Sequence, residues 1–159
     1  MRLIPSLLKP EYVLLDLGAS SKDMLFEEIA ERLASSIDLS PKVIAKSLID
    51  REKLGSTGLG QGVAIPHGRI KQLKQAAGVF VRTRDAVPFG APDNEPVRLL
   101  FVLLVPVQAT DLHLQILSEL AQLFSDRTLR ERLLQASDAQ QILQLLSGQH
   151  DADHRTTPV

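Results

Sequence analysis

The chain has 159 residues, 44% of them apolar and 23% charged, with 18 basic and 19 acidic side chains and no cysteine. A near-neutral balance offers no field for a nucleic-acid backbone, and the lack of cysteine excludes disulfides and thiol chemistry. At this length a chain buries about two-thirds of its unfolded surface, so no metal or disulfide is needed to hold it.

The opening MRLIPSLLKPEY has no long apolar run and no small-residue cleavage site, so it does not read as a signal peptide. The longest apolar run, Leu99 to Val107, is about half of what a bilayer span requires. The expectation is a soluble, cytoplasmic protein with no membrane insertion: one globular domain over 1–148 and a disordered polar tail over 149–159.

In chain order, residues 3–9 predict a short turn or helix ended by Pro10. Tyr12 to Leu17 reads as a short buried strand stopped by Gly18. Ser20 and Ser21 are N-cap candidates for an amphipathic helix over 21–36, with Leu25, Ile29 and Leu33 on its inner stripe. Ser40-Pro41 opens a second helix that must end by Gly55. On that helix Ile44, Leu48 and Arg51 share one stripe, which turns a guanidinium inward. Such a group either snorkels at the helix end or meets an anion.

Arg51 to Gly68 then reads REKLGSTGLGQGVAIPHG. Glycine tolerates positive φ and lets backbone come close to a ligand, and successive exposed amides can form an anion site. Gly55, Ser56, Thr57, Gly58, Gly60 and Gly68 are therefore candidate phosphate-binding positions. Pro66 restricts both Ile65 and the entry to His67.

Val63 to Ile65 and Gly78 to Thr83 predict strands, and Val97 to Val105 predicts a central strand covered on both faces. A helix over 112–124 follows, capped by Thr110 or Asp111, with two interleaved stripes: Leu112, Ile116, Leu120, Leu123 and His113, Leu117, Leu120, Phe124. Helices over about 126–135 and 138–147 complete the pattern. Strands interspersed with helices indicate an α/β sandwich on a mixed sheet of about five strands.

Several familiar sites are missing. No lysine follows the glycines as an ATPase-type phosphate loop requires, and the dinucleotide spacing, the G-x-S-x-G elbow and H-E-x-x-H are all absent. What remains is His67, His113 and Arg51. A neutral imidazole is a competent nucleophile towards phosphorus, and Arg51 and His113 are suitable donors to a phosphoryl group. A lone histidine in a turn is more often a plain surface residue, and one on a helix stripe is more often simply packed. Asp111, His113 and His67 form a weak metal pattern; neither metal nor cofactor is expected.

The string from Arg51 to Gly68 resembles the phosphorylation-site motif of the mannitol/fructose-type IIA components of the bacterial phosphoenolpyruvate-dependent phosphotransferase system, in particular its nitrogen-regulatory branch. A second block, DNEPVRLLFVLLVPVQATDLHLQILSELA from Asp93 to Ala121, is also similar to that family. The resemblance implies a mixed five-stranded sheet between helices. It also implies that His67 accepts a phosphoryl group from a histidine-containing phosphocarrier protein, that His113 is the second active-site histidine, and that Arg51 is the arginine beside the phosphohistidine. Such a protein is a carrier without independent turnover. Its phosphorylation state controls partners, which in the family include potassium transporters and sensor kinases. A sugar-specific IIA component, a binding module that is never phosphorylated, and a metal-dependent hydrolase are the alternatives.

Overall fold

The computed structural model describes residues 3–108 and 110–148. Its centre is the strand that the sequence marks as apolar on both faces, here Val97–Pro106. Taken in chain order, the strands are β1 (Val13–Leu17), β2 (Gly58–Gly60), β3 (Val63–Ala64), β4 (His67–Ile70), β5 (Ala77–Val87) and β6 (Val97–Pro106). The helices are α1 (Lys22–Ile37), α2 (Pro41–Lys53), α3 (Thr110–Phe124), α4 (Arg127–Gln135) and α5 (Ala139–Leu146). Two 3-10 turns, Ile4–Leu7 and Pro10–Tyr12, precede β1.

The sheet runs β1-β5-β6-β3-β2, with β4 also on β6. β5 lies antiparallel to β6, and β3 and β4 lie parallel to it, one after the other along its far side. The sheet is mixed, as expected, but has six strands among the described residues. β2 and β4 escape the sequence pattern because they are three and four residues long and carry glycines, which supply no side-chain alternation to read.

Strand alternation on β6 divides the core. Leu100, Val102 and Leu104 pack with α1 and α2, through Leu25, Ile29, Leu33, Ile44 and Leu48. Leu99, Phe101, Leu103 and Val105 pack with α3, α4 and α5, through Ile116, Leu120, Leu129, Leu133, Ile142 and Leu146. Burying such aliphatic side chains contributes about 1.5–3 kcal/mol each before chain entropy is charged against it, and a strand buried on both faces draws on both layers.

The helix starts follow capping chemistry. Ser21, Ser40, Asp126 and Asp138 each accept a hydrogen bond from a first-turn amide, which satisfies one of the amides a helix start leaves unpaired. The left-handed Asp38, at φ 58°, ends α1. α3 begins at Thr110. Its buried face takes members of both predicted stripes, His113, Ile116, Leu120 and Phe124, while Leu117 and Leu123 are only partly buried and Leu112 is 38% exposed. Residue 109 and the predicted tail, 149–159, lie outside the described residues.

Candidate functional site

Three segments meet at one end of β6. The first is the C-terminal turn of α2. Ile44 and Leu48 are buried on its inner stripe, and Arg51, next in line, is half-buried at the helix end. Its Nη1 donates to Gly55 O at 2.9 Å, and its Nε donates to His67 Nε2 at 3.1 Å.

The second segment is β4. Its register pairs His67 with Leu103 and Gly68 with Leu104. Leu103 belongs to the layer of α3–α5 and Leu104 to that of α1 and α2, so His67 faces the α3 side and Gly68 faces α2. A Cβ at Gly68 would lie 2.6 Å from Ser47 Oγ on α2. Only glycine allows this approach, and the approach brings the end of α2 close enough for Arg51 to reach the imidazole. His67 Nδ1 lies 3.0 Å from Ile65 O. A carbonyl can only accept, so Nδ1 carries the proton and Nε2 keeps its lone pair. The arginine N–H pointing at Nε2 requires the same tautomer.

The third segment is the first turn of α3. His113 is 6% exposed, and its ring packs edge-on against His67, with centroids 4.9 Å apart and planes at 73°. Both of its nitrogens are buried without a hydrogen-bond partner among the described residues. A buried, unsatisfied polar group costs about 1–3 kcal/mol, so a native fold that keeps one in contact with a second imidazole marks a candidate site.

Electrostatics hold both rings neutral. Burial pulls the His67 pKa down, and the charges of Arg51 and Arg69 push the same way; the bond to Ile65 O and the Glu52 carboxylate oppose them without prevailing. His113 is pushed down to about 4, first by burial and then by His67, Arg69 and Arg51. Near neutral pH the site therefore presents an unprotonated imidazole nitrogen beside the Arg51 guanidinium.

The glycine-rich turn is built differently from the anion cradle that its composition suggests. The Thr57 amide donates to Glu52 Oε2 at 2.9 Å, and the Thr57 hydroxyl donates to Glu52 Oε1 at 2.7 Å. Ser56 Oγ donates to Phe89 O and accepts from the Gly58 amide. Gly58 and Gly60 lie in β2, where added Cβ atoms would meet Ala91 and Asp93. The Gln61 amide donates to Asp93 Oδ2 at 2.8 Å. The amides of Thr57 and Gly58 are thus satisfied within the protein, and the turn forms a scaffold. Of its members Gly55, through its carbonyl, touches Arg51, and Gly68 sets the approach of β4.

Two residues that periodicity does not single out belong to this arrangement. Glu52, 9% exposed, is the hub of the turn: its carboxylate also receives Lys22 Nζ at 3.0 Å, and that ammonium bonds Phe89 O as well. A carboxylate at a helix C-terminus opposes the macrodipole, so the lysine and the Thr57 donors are what make its burial tolerable. Arg69 stands two residues beyond His67 in β4. Strand parity would reveal it, had so short a strand been legible. Among the described residues, no group of three or more His, Cys, Asp or Glu side chains is gathered as a metal site.

A three-layered α/β/α sandwich with an arginine-held imidazole on the strand beside one end of its central strand defines a class. Residues 6–149 match the family described as phosphoenolpyruvate-dependent sugar phosphotransferase system, EIIA 2, and the chain belongs to that family. Within it, the nitrogen regulatory protein of Escherichia coli (strain K12) is 41% identical over 128 residues, 80% of this chain and 78% of that protein. The crystal structure of nitrogen regulatory protein IIA-Ntr from Neisseria meningitidis superposes with a TM-score of 0.85 at 49% identity, covering 90% of this chain and 98% of the other. Enzyme IIAMTL from Escherichia coli, solved in complex with phosphorylated enzyme IIBMTL, gives a TM-score of 0.75 at 26% identity, covering 89% of this chain and 97% of the other. The IIA-type fold and the likeness to nitrogen regulatory proteins rest on these matches. No helix among the described residues is long and apolar enough to cross a membrane.

Proposed function

We propose that this protein is a cytoplasmic phosphocarrier and regulator of the nitrogen type, which takes a phosphoryl group onto His67 from a histidine-containing phosphocarrier protein. One observation carries the reading: His67 Nε2 is the nitrogen left with a lone pair, and it lies 3.1 Å from the Arg51 guanidinium in ring contact with a buried His113 that has no hydrogen-bond partner.

Nε2 attacks phosphorus as the P–N bond to the donor histidine breaks. The bonding pair of that P–N bond returns to the donor's ring. The ring of His67 becomes an imidazolium, and its Nδ1–H stays bonded to Ile65 O, which stabilises the new positive charge. The transferred group carries roughly two negative charges. Phosphoryl transfer needs little from the protein beyond position and charge stabilisation. As the Nε2 lone pair is consumed, Arg51 Nε is released to the phosphoryl oxygens, while its Nη1 bond to Gly55 keeps the guanidinium in place. His113, neutral, donates its N–H to the same oxygens, which gives that nitrogen the partner it lacks. Gly55, Ser56, Thr57, Gly58 and Gly60 act indirectly, by fixing the loop that follows Arg51, and Gly68 by setting the approach of β4.

The family likeness supports regulation of partner proteins by phosphorylation state, with potassium transporters and sensor kinases as the partner classes. Incubation with phosphoenolpyruvate, the first enzyme of the system and its phosphocarrier should add one acid-labile phosphoryl group by intact mass, and His67→Ala should abolish the gain. Arg51→Ala should load more slowly while remaining folded. No mass gain in the wild type would leave a non-phosphorylated binding module as the reading. Pull-downs with wild-type and His67→Ala protein identify the partners that depend on the modification.

A further inference from the structure

We propose that Arg69 is a second phosphoryl-binding cation of this site, uncommitted in the unloaded protein and engaged once His67 carries its phosphoryl group; this rests on the function proposed above.

The regular register of β4 against β6, which pairs His67, Gly68, Arg69 and Ile70 with Leu103 to Pro106 in turn, puts residues 67 and 69 on one face of the strand. Gly68 and Ile70 are buried against the α1/α2 layer. The face shared by His67 and Arg69 is the one that meets His113. Arg69 is exposed, and among the described residues it makes neither a hydrogen bond nor an ion pair. Other arginines of this chain are engaged: Arg82 and Arg98 hold backbone carbonyls, Arg32 and Arg127 pair with glutamates, and Arg51 holds Gly55 and His67.

The charge balance calls for such a group. A phosphohistidine adds roughly two negative charges, whereas Arg51 supplies one positive charge and shares it with the Gly55 carbonyl. His113 is neutral, because its pKa lies at about 4. The charge of Arg69 already reaches both rings, where it disfavours protonation of His67 and of His113. Groups felt at His67 besides Arg69 are Arg51 and Glu52; those felt at His113 are His67 and Arg51. Two residues along the same strand face from His67, a free guanidinium on a long side chain has the reach to meet a phosphoryl group carried on that ring. Arginine suits that position, since its planar fork binds two phosphate oxygens at once.

Phosphoramidate tests the assignment without a partner protein. Its P–N bond breaks, ammonia leaves with the electron pair, and the phosphoryl group passes to His67 Nε2. Loading is followed by intact mass, and both imidazoles are titrated by NMR, for wild type, Arg69→Gln, Arg69→Lys and Lys71→Gln, the last an exposed cation outside the strand. A charge-assisted bond at an exposed site sets the scale at about tenfold. Arg69→Gln should load about tenfold more slowly and raise the pKa of both imidazoles, with Arg69→Lys restoring most of the rate and Lys71→Gln matching wild type. Arg69→Gln that loads at the wild-type rate, or imidazole titrations that do not move, would overturn the role of Arg69 and leave the phosphocarrier reading standing. Wild type that takes no phosphoryl group would overturn both.

Discussion

Acidification from pH 7 to pH 5 should weaken this protein by an amount traceable to His113. In the unfolded chain the ring has its ordinary pKa of 6.5; in the native protein it is pushed down to about 4, mainly by burial. Between those values the unfolded chain binds a proton that the native protein refuses. Stability is therefore undiminished above the unfolded pKa, falls as the pH drops through the window, and levels off below the folded pKa. Each pH unit inside the window is worth about 1.4 kcal/mol, so the drop to pH 5 costs about 2 kcal/mol. His113→Leu removes the titrating group at similar volume. It also removes two buried nitrogens without partners among the described residues, so at pH 7 the variant should be at least as stable as the wild type, by up to about 1 kcal/mol. Urea unfolding of both proteins at pH 7 and pH 5 gives the four free energies, and contributions common to both proteins cancel in the double difference. Equal losses in the two proteins would refute the assignment. A stabilised His113→Leu that loads phosphoryl poorly would show that the site is kept at some cost to the fold.

Further predictions concern the frame of the site. Glu52→Ala strips the Thr57 amide, the Thr57 hydroxyl and Lys22 of their shared acceptor, and should cost about 3 kcal/mol in chemical denaturation; an unchanged midpoint would mean that the turn is held some other way. Gly68→Ala places a Cβ 2.6 Å from Ser47 Oγ, and should destabilise by about 1–3 kcal/mol in a thermal melt, with Ser47→Gly in the same chain recovering part of the loss. A neutral Gly68→Ala would contradict the close contact of β4 and α2. Arg82→Met unpairs the carbonyls of Leu133 and Ala136, held at 3.0 and 2.6 Å at the end of α4; amide exchange through residues 133–137 should accelerate at a cost of about 2 kcal/mol, and unchanged exchange there would remove Arg82 from its capping role.

The likeness to nitrogen regulatory proteins gives the pH result a bearing on the site's chemistry. Both imidazoles are kept neutral by burial and neighbouring cations, and a neutral ring is what nucleophilic attack requires. The desolvation of His113 that weakens the fold in acid has its counterpart at His67, where burial also lowers the pKa and, on the function proposed above, keeps the nucleophile unprotonated at neutral pH.

What the sequence determined by itself was local. Apolar periodicity located the helices, the apolar run of β6 announced a strand covered on both faces, and Arg51 could be placed inward from its spacing to Ile44 and Leu48, because each depends on a repeat within one element. The ungapped residues of the motif from Arg51 to Gly68, with the block from Asp93 to Ala121, carried the resemblance to the family that the whole-chain match bears out. The tertiary structure decided what depends on distant segments. The parallel register of β4 on β6 and the glycine contact with Ser47 bring residue 67 to residue 51. The buried stripe chosen by α3 brings residue 113 to the same ring. It also decided where the amides of Thr57, Gly58 and Gln61 are spent. A glycine-rich turn can offer its amides to an anion or to a buried carboxylate equally well, and the packing of Glu52 against Lys22 and Thr57 gives the Thr57 amide to the carboxylate.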